Sequence, residues 1–405
     1  MKNSILKLSA EDNPEAHSKS VYKSLDDFFN IVGSIPAAVI ITSVSKWTFV
    51  KVNDNFTNMF GFTGHEVIGK TLLELKILDK AELQRIVQIV KKERKIQNEI
   101  FICKTKGKKI VYAIVSSELM QIDGVKYAVS SFHDISRFKE QQLIIERQNK
   151  EIIDSINYAR LIQKALLPTQ KQIESALPDS FILSIPKNII SGDFYWLERY
   201  KNKTFIAVCD CTGHGVPGAF ISIIGYKLLS KFIDECGFSS PAKILNHLNA
   251  DFSGANKEII TTTLQIRDGM DMALCVIDKT EMTMSYAGAY NPVYQVRMGV
   301  LTKLTVDRIP IHLFTSHTGE KFTDSEIKIE AGDMYYMFSD GYADQFGGPR
   351  GKKFLSKKFQ ELILSVQHES MGKQKEILCE TIEDWMEISD EDQTDDILVL
   401  GFKIS

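Results

Sequence analysis

The sequence predicts an α+β protein of two or three domains, and three observations support this. The chain has 405 residues, and domains usually hold about 100–200 residues each. In the C-terminal half, many strand patterns and paired helical patterns indicate a layered sandwich rather than alternating β–α units. Hydrophobic residues make up 44% of the chain and charged residues 25%. These ordinary globular values exclude a largely disordered or fibrous protein.

The charge balance and the cysteines limit the cellular context. The chain carries 49 Lys+Arg and 52 Asp+Glu, a net charge of −3, so we expect no nucleic-acid partner, which would require excess cations. We find no apolar run that approaches the roughly 18 residues that cross a bilayer, and Glu11 and Asp12 stand where a secretory signal would be apolar.

Six cysteines are scattered along the chain, which predicts no disulfide framework. Cys209 and Cys211 are expected on opposite faces of a strand, which argues against a zinc pair. We therefore expect a cytoplasmic protein without a membrane partner.

Changes in composition and in the pattern of apolar residues along the chain predict four segments. They are a flexible leader at 1–20, a compact α+β unit at 21–136, a linker helix at 137–166 and one large α+β domain at 167–405.

The linker helix has an apolar residue at every seventh position. The repeated positions are Phe138, Ile145, Ile152, Ala159 and Leu166. The other inner positions are mixed, with Gln141, Gln148, Ser155 and Ile162. Such a stripe predicts a two-stranded coiled coil whose polar layers fix the register, and hence a homodimer. The alternative is one helix that packs on its own domain.

Regular patterns after Pro168 define the elements of the large domain. Strands are predicted at Phe181–Ile185, Thr204–Asp210, Met270–Asp278, Thr283–Gly288, Pro292–Val296, Ile327–Ile329, Asp333–Ser339 and Asp396–Lys403. Helices are predicted at Gly218–Glu235, Ala242–Ala255, Lys353–Leu364 and Lys373–Glu387.

Carboxylates stand at the ends of several of these apolar strands. They are Asp193 after Gly192, Asp210, Asp340 before Gly341, and the pair Asp395–Asp396. Any one of them could simply cap a turn, which is a common use of Asp beside Gly. Together, with few basic residues near them in sequence, they indicate a shared site, because a buried ionised carboxylate needs a partner. Hard divalent cations such as Mg²⁺ and Mn²⁺ are the partners that such a set requires.

The motifs around these acids resemble one known family. The matching segments are Leu166–Pro168, Ser191–Trp196, Asp210–Ala219, Ala287–Pro292, Phe338–Asp344 and Asp395–Gly401. In this order, residues 167–405 resemble the PPM superfamily (type-2C-like) of metal-dependent serine/threonine phosphatases, of the bacterial SpoIIE/RsbU type. The resemblance implies an α-β-β-α sandwich with two Mn²⁺ or Mg²⁺ ions at one edge.

The resemblance also implies roles for individual residues. Asp210 would bridge both ions, and the backbone carbonyl of Cys211 would ligate one of them. Asp193 would bind through its carboxylate or a held water. Asp340 and Asp395 would complete the shell of the second ion.

Three further residues receive weaker predictions. Asp396 is either an outer-shell group or a strand-start acid. His214, in the glycine-flanked turn, is either a proton donor to the leaving serine or a rim residue, and we favour the rim. Gly341 follows the metal acid Asp340 and is a lower-ranked member of the site.

The implied chemistry is hydrolysis of a phosphoserine or phosphothreonine by water that two metals activate, with no phospho-enzyme. The usual target in the family is a STAS-type anti-sigma antagonist, which makes a phosphorylated protein the expected partner. The sequence departs from the family pattern at Leu398, where Thr is usual, and at His312, where Gly is usual. We also find no arginine that matches the phosphate-binding one of eukaryotic relatives.

Residues 26–137 resemble a PAS sensor domain. The resemblance depends on Ile35-Pro36, Val52–Phe56, Gly61-Phe62, Ile68–Lys70 and the exit strand Ser131–Ile135. The cysteine that binds flavin in light-sensing PAS domains is absent, and His65 or His133 could ligate haem but are more typical of structural positions. The PAS ligand is therefore unknown from the sequence.

Three functions from different classes compete. The first is a PAS-regulated phosphatase, the second a catalytically silent phosphatase fold that binds a phosphorylated partner, and the third a PAS and coiled-coil scaffold. Four strand-end acids favour the enzyme, because a silent fold has no need for them.

Overall fold

The computed structural model describes residues 36–93, 95–122, 124–234, 240–254, 269–312 and 321–405. The chain divides into two compact units, Met1–Lys150 and Glu151–Ser405. The predicted leader at 1–20 lies outside the described residues, and the predicted domain boundaries stay predictions.

The N-terminal unit contains a five-stranded antiparallel sheet in the order β2-β1-β5-β4-β3. Its strands are β1 (Ala38–Ser43), β2 (Phe49–Val52), β3 (Ile96–Lys104), β4 (Ile110–Ile122) and β5 (Val125–Asp134). The helices between β2 and β3 are α1 (Asp54–Phe60), α2 (Gly64–Val67) and α3 (Lys80–Glu93). Strands β1 and β2 are antiparallel neighbours and form a hairpin.

One buried asparagine organises the junction between β2 and α1. The side-chain oxygen of Asn53 accepts hydrogen bonds from the backbone N–H groups of Phe56 and Val39, each at 2.9 Å. Its amide donates to the carbonyl of Ala37 at 2.9 Å. Asn53 therefore caps the helix and ties it to the neighbouring strand. Next to it, the sheet and the helices enclose a core that includes Phe49, Phe56, Phe60, Phe101 and Phe132.

The predicted linker helix is continuous in the structure as α4 (Ser136–Leu166), 31 residues long. In this single chain its apolar stripe stays largely exposed, with Phe138 66% exposed and Ile152 57% exposed.

The C-terminal unit is built on two sheets. The first has the order β14-β10-β9-β8-β7 with β13 added beside β9, and the second has the order β12-β11-β15-β18-β6. The strands of the first sheet are β7 (Phe194–Tyr200), β8 (Lys203–Cys211), β9 (Gly269–Asp278), β10 (Thr283–Ala289), β13 (Ile311–His312) and β14 (Ser325–Lys328). Those of the second are β6 (Ser180–Ile185), β11 (Val293–Arg297), β12 (Val300–Leu304), β15 (Met334–Phe338) and β18 (Ile397–Lys403).

Helices cover the outer face of each sheet. The helices of this unit are α5 (Gln170–Ala176), α6 (Val216–Asp234), α7 (Pro241–Gly254), α8 (Gly341–Asp344), α9 (Ser356–Val366) and α10 (Met371–Glu387). One core lies between the sheets and includes Val208 and Leu400. A second core joins the first sheet to α6 and α7, and a third joins the second sheet to α9 and α10. The predicted α+β class and the α-β-β-α sandwich are confirmed.

Some element predictions were wrong. The strand patterns missed β7 and β12, and the predicted helix at Lys353–Leu364 starts later, at Ser356. Lys353 instead belongs to the short strand β17 (Lys352–Lys353), which pairs with β16 (Phe346–Gly347). Cys209 and Cys211 lie in one core cluster, not on opposite faces, because residues two apart in a strand share a face.

The prediction that no apolar run reaches bilayer length also missed one window. An 18-residue stretch of α6, Val216–Ile233, is long and apolar enough to cross a membrane. Leu229, Phe232 and Ile233 of this helix are buried against the first sheet, which is typical of a core helix.

A buried ion pair fixes the strand that leads to Asp340. Asp333, just before β15, is 2% exposed, and its Oδ1 accepts from Nε of Arg297 at 2.7 Å. The hydroxyl of Tyr335 and the N–H of Glu330 also donate to this carboxylate. Burial alone would raise the pKa of Asp333, but the hydrogen bond from Arg297 reverses this and holds the pKa below its usual range.

We expect Arg297→Met to lower the free energy of unfolding by about 3 kcal/mol, because it leaves the carboxylate of Asp333 buried without its charge partner. Urea unfolding of the metal-free protein measures the change. The control is Glu330→Gln, which removes only the exposed partner of Arg297 at 2.8 Å and should cost less than about 1 kcal/mol. Equal losses in the two variants would contradict the prediction.

Candidate metal centre

Four aspartates surround one cavity at the edge of the first sheet. The cavity has a volume of about 270 Å³, and its walls include Asp210, Asp271, Asp340 and Asp395. Asp210 lies near the end of β8, and Asp340 directly follows β15. The N–H of Asp340 donates to Oδ2 of Asp210 at 3.3 Å, which joins the two sheets at this point. Three of the predicted acids therefore meet in one place.

Asp193, the fourth predicted acid, lies next to this group without lining the cavity. The charges of Asp210, Asp396 and Asp395 act on its carboxylate. Its Oδ2 atom is buried and has no hydrogen-bond partner in the described part of the chain. Burying a carboxylate oxygen without a partner costs free energy, so this atom fits a site for a bound cation.

The loop after β8 is held in place by the next strand. The hydroxyl of Thr212 donates to the carbonyl of Gly269 at 2.9 Å and accepts from its N–H at 2.7 Å. His214 lies exposed beyond this contact, and its Nδ1 is 2.8 Å from Oδ1 of Asn188. This placement is compatible with the rim position that the sequence favoured.

The start of α6 approaches two acid-bearing loops through glycine backbones. A Cβ on Gly218 would lie 2.1 Å from the carbonyl oxygen of Gly213 and 3.0 Å from Cα of Gly192. No larger residue fits there without displacing backbone. The loops that carry Asp193 and Asp210 are therefore in backbone contact with the beginning of one helix.

Asp396 faces away from the cavity and holds a loop by its backbone. Its Oδ1 accepts from the N–H of Lys187 and its Oδ2 from the N–H of Gly192, both at 2.7 Å. This geometry makes Asp396 a supporting group for the Asp193 loop, and its role as an outer-shell group of the site stays a prediction. Its own backbone carbonyl approaches Gly341, where a Cβ would lie 2.0 Å away, so Gly341 lets β18 and α8 meet closely.

The sequence reasoning missed Asp271. This residue lies on β9 directly opposite Asp210 on β8 and lines the same cavity. No glycine-rich turn flags it, and the only signal is an acid between two buried methionines, Met270 and Met272.

The ionisation of these side chains reflects their burial and mutual repulsion. Burial, and then the charge of Asp210, raises the pKa of Asp193 well above its usual value. Burial, and then the charge of Asp340, does the same to the pKa of Asp210. The same two causes raise the pKa of Asp271 to about 6. Burial also raises the pKa of the Cys211 thiol, which leaves its backbone carbonyl as the donor for a hard cation.

These residues fit a divalent-cation site. They are oxygen donors that lie together with little counter-charge, since Lys353, whose charge reaches Asp340, pairs with Asp344 at 2.6 Å. In the ranges that the structure describes, no three His, Cys, Asp or Glu side chains form a complete metal cluster. A cation here would therefore also need carbonyl or water ligands, as hard cations commonly do.

The raised pKa values predict a stability that depends on pH in the metal-free protein. The folded state retains protons that an unfolded aspartate releases near pH 4, so stability should fall as pH rises from about 4 through 6. Melting temperatures in EDTA across this range test the expectation. The decrease should be smaller in Asp210→Asn, which removes one repelling charge, and an equally steep curve in this variant would contradict it.

Both regions of the chain are similar to known proteins. A model of the family "Stage II sporulation protein E (SpoIIE)" matches residues 200–405, and a PAS domain model matches residues 36–137. The chain is 28% identical over 198 residues to the phosphoserine phosphatase RsbU of Bacillus subtilis strain 168, which covers 48% of this chain and 55% of that protein. The chain thus spans about half the length of this curated relative.

Two solved structures are similar to this chain, and the first shows the same fold. The SiaA-PP2C domain of Pseudomonas aeruginosa aligns with a TM-score of 0.57 and 28% identity over 64% of this chain and 99% of that domain. The RsbU and RsbW domains of a Mycobacterium tuberculosis protein align with a TM-score of 0.43 and 16% identity, over 56% of this chain and 61% of that one. Since the family model spans half of its residues, the chain, with a PAS domain ahead of the matched region, belongs to the SpoIIE family.

Proposed function

We propose that this protein is a PAS-regulated, metal-dependent serine/threonine protein phosphatase. The observation that carries the proposal is the ring of carboxylates around one cavity, with the unpartnered Oδ2 of Asp193 beside it. Membership of the SpoIIE family and the similarity to a phosphoserine phosphatase support the same activity.

The proposed ligands follow from the family motif and the positions of the side chains. Asp210 would hold both ions, because its carboxylate accepts from the N–H of Asp340 and its strand pairs with the one that follows Asp193. Asp193, Asp340 and Asp395 would complete the set, with the backbone carbonyl of Cys211. Two Mn²⁺ or Mg²⁺ ions bound there would lower the pKa of a water and neutralise the charge of the phosphoryl group.

The residues of the chain supply orientation and charge around this chemistry. Thr212 fixes the loop that presents Asp210 and Cys211. The positive end of the α6 dipole begins at Val216, close to this loop, and favours an anion there. A cysteine phosphatase needs a thiolate nucleophile, whereas burial keeps the nearby Cys209 and Cys211 thiols protonated.

The proposed substrate is a phosphorylated signalling protein, of the STAS type that is usual in the family. A silent binding module or a scaffold is the alternative, and the buried acids disfavour both, because repulsion among them destabilises a fold that binds no cation. The proposed location is the cytoplasm, with no membrane or nucleic-acid partner.

The proposed regulation runs through α4. Its exposed apolar stripe, which includes Ile145 and Ile152, would be covered in a homodimeric coiled coil. Near its end, Gln163 is buried; its amide donates to the carbonyl of Ser191 at 2.6 Å and to the hydroxyl of Ser222 at 2.9 Å. The hydroxyl of Ser191 accepts from the N–H of Asp193 at 3.0 Å. A displacement of α4 would therefore reach the Asp193 loop through two hydrogen-bonded residues.

We expect the protein to hydrolyse p-nitrophenyl phosphate only with Mn²⁺ or Mg²⁺, and Asp210→Asn to lower the rate by at least about 100-fold, because it removes the bridging ligand. A phosphatase assay with and without EDTA measures this. The control is Asp278→Asn, at the far end of β9, which should retain the rate. Activity that survives both EDTA and Asp210→Asn would contradict the proposed mechanism, and a wild-type protein without activity would favour the silent module.

We expect Gln163→Leu to lower Mn²⁺ affinity or turnover by about tenfold, because the variant keeps the volume but loses the hydrogen bonds to Ser191 and Ser222. Steady-state kinetics as a function of Mn²⁺ measures both quantities. Gln142→Leu, at an exposed position of the same helix that is not one of the predicted inner positions, is the matched control.

A shortened chain that lacks residues 1–135 tests the same coupling by removal of the PAS domain. Its turnover or metal affinity should differ from that of the full chain, since the PAS domain no longer acts on α4. Identical kinetics in the two chains would contradict regulation through this helix.

A further inference from the structure

Asp271 occupies a position from which its carboxylate reaches the proposed metal centre. Strands β8 and β9 are antiparallel neighbours, and their register places Asp271 opposite Asp210. Directly opposed residues in such a pair have Cβ atoms about 4.5–5.5 Å apart. Both side chains line the cavity of about 270 Å³ that also includes Asp340 and Asp395.

The groups around Asp271 do little to stabilise its partly buried carboxylate. The residue is partly buried, and in the described ranges its carboxylate has neither a hydrogen bond nor an ion pair. The acids that line the cavity with it, Asp210, Asp340 and Asp395, carry the same charge and offer it no partner. Asp278, at the other end of β9, differs: its Oδ1 accepts from the N–H groups of Thr280 and Glu281, and Lys203 lies 3.9 Å from its Oδ2.

A second observation, at Asp193, also indicates that this group of carboxylates binds a cation. The Oδ2 atom of Asp193 is buried and has no hydrogen-bond partner among the described residues. Asp193 directly precedes β7, which pairs with β8, the strand that carries Asp210. Asp193 lies in the loop before β7 and Asp271 lies on β9, so carboxylates at two separate positions of the chain lack a partner among the described residues.

We infer that Asp271 is a further ligand of the divalent-cation centre and binds, directly or through water, a cation that it shares with Asp340. The inference rests on the proposed phosphatase function, because it concerns the same metal site. A purely structural aspartate would be expected to make hydrogen bonds, as Asp278 does, whereas an unpaired acid beside Asp340 costs stability until a cation is bound.

Isothermal titration of the metal-free full-length protein with Mn²⁺ tests this inference without an activity assay. We expect Asp271→Asn to weaken Mn²⁺ binding by about 10–100-fold or to remove one equivalent of Mn²⁺. The control Asp278→Asn should bind as the wild type does. The variant Asp210→Asn serves as the reference for loss of the whole centre.

Melting temperatures separate a ligand from a structural residue. In EDTA, Asp271→Asn should melt at the same temperature as the wild type or higher, because it removes a repelling charge. With saturating Mn²⁺ its gain in melting temperature should be smaller. A lower melting temperature in EDTA, with unchanged Mn²⁺ binding, would identify a structural role and overturn the inference.

An error about Asp271 and an error about the whole metal centre would give different results. If Asp210→Asn loses Mn²⁺ while Asp271→Asn binds like the wild type, the inference is wrong and the proposed metal centre stands. If the wild-type protein binds no Mn²⁺ at all, both are wrong.

Discussion

The C-terminal unit is organised around negative charge that the basic side chains of the described residues offset only at Asp340, through Lys353. Asp193, Asp210, Asp271, Asp340 and Asp395 approach one another at the edge of two sheets. Burial and mutual repulsion raise the pKa of Asp193, Asp210, Asp271 and Asp340. Many contacts around them serve to hold like charges together. Asp396 ties down the Asp193 loop, Thr212 ties down the Asp210 loop, and the N–H of Asp340 binds Asp210.

Local patterns were sufficient to predict most of the architecture. Alternating or continuous apolar runs located most of the strands in both sheets, and the seven-residue repeat located α4 as one continuous helix. The acids next to glycines also formed a usable signal, because a strand end beside Gly is a turn that can present a side chain. The structure brings Asp210, Asp340 and Asp395 to one cavity, as the motif order implied.

Features that depend on tertiary contacts were not predictable in this way. Asp271 joins the site only through the register of β8 and β9, which no local pattern contains. Asp395 and Asp396 are adjacent in sequence, yet only the fold shows that the second faces backbone N–H groups of a distant loop. Lys353 was assigned to a helix because its apolar neighbours have helical spacing, whereas the pairing with Phe346 decides its conformation.

The close approach of Gly192, Gly213 and Gly218 has a mechanical consequence. With a Cβ on Gly218 placed 3.0 Å from Cα of Gly192, the backbones there have no side-chain layer that could absorb a shift. A rigid displacement of α6 along its axis would carry the two loops with it as one body. Asp193 and Asp210 would then move together, because no side chains separate the backbones of their loops.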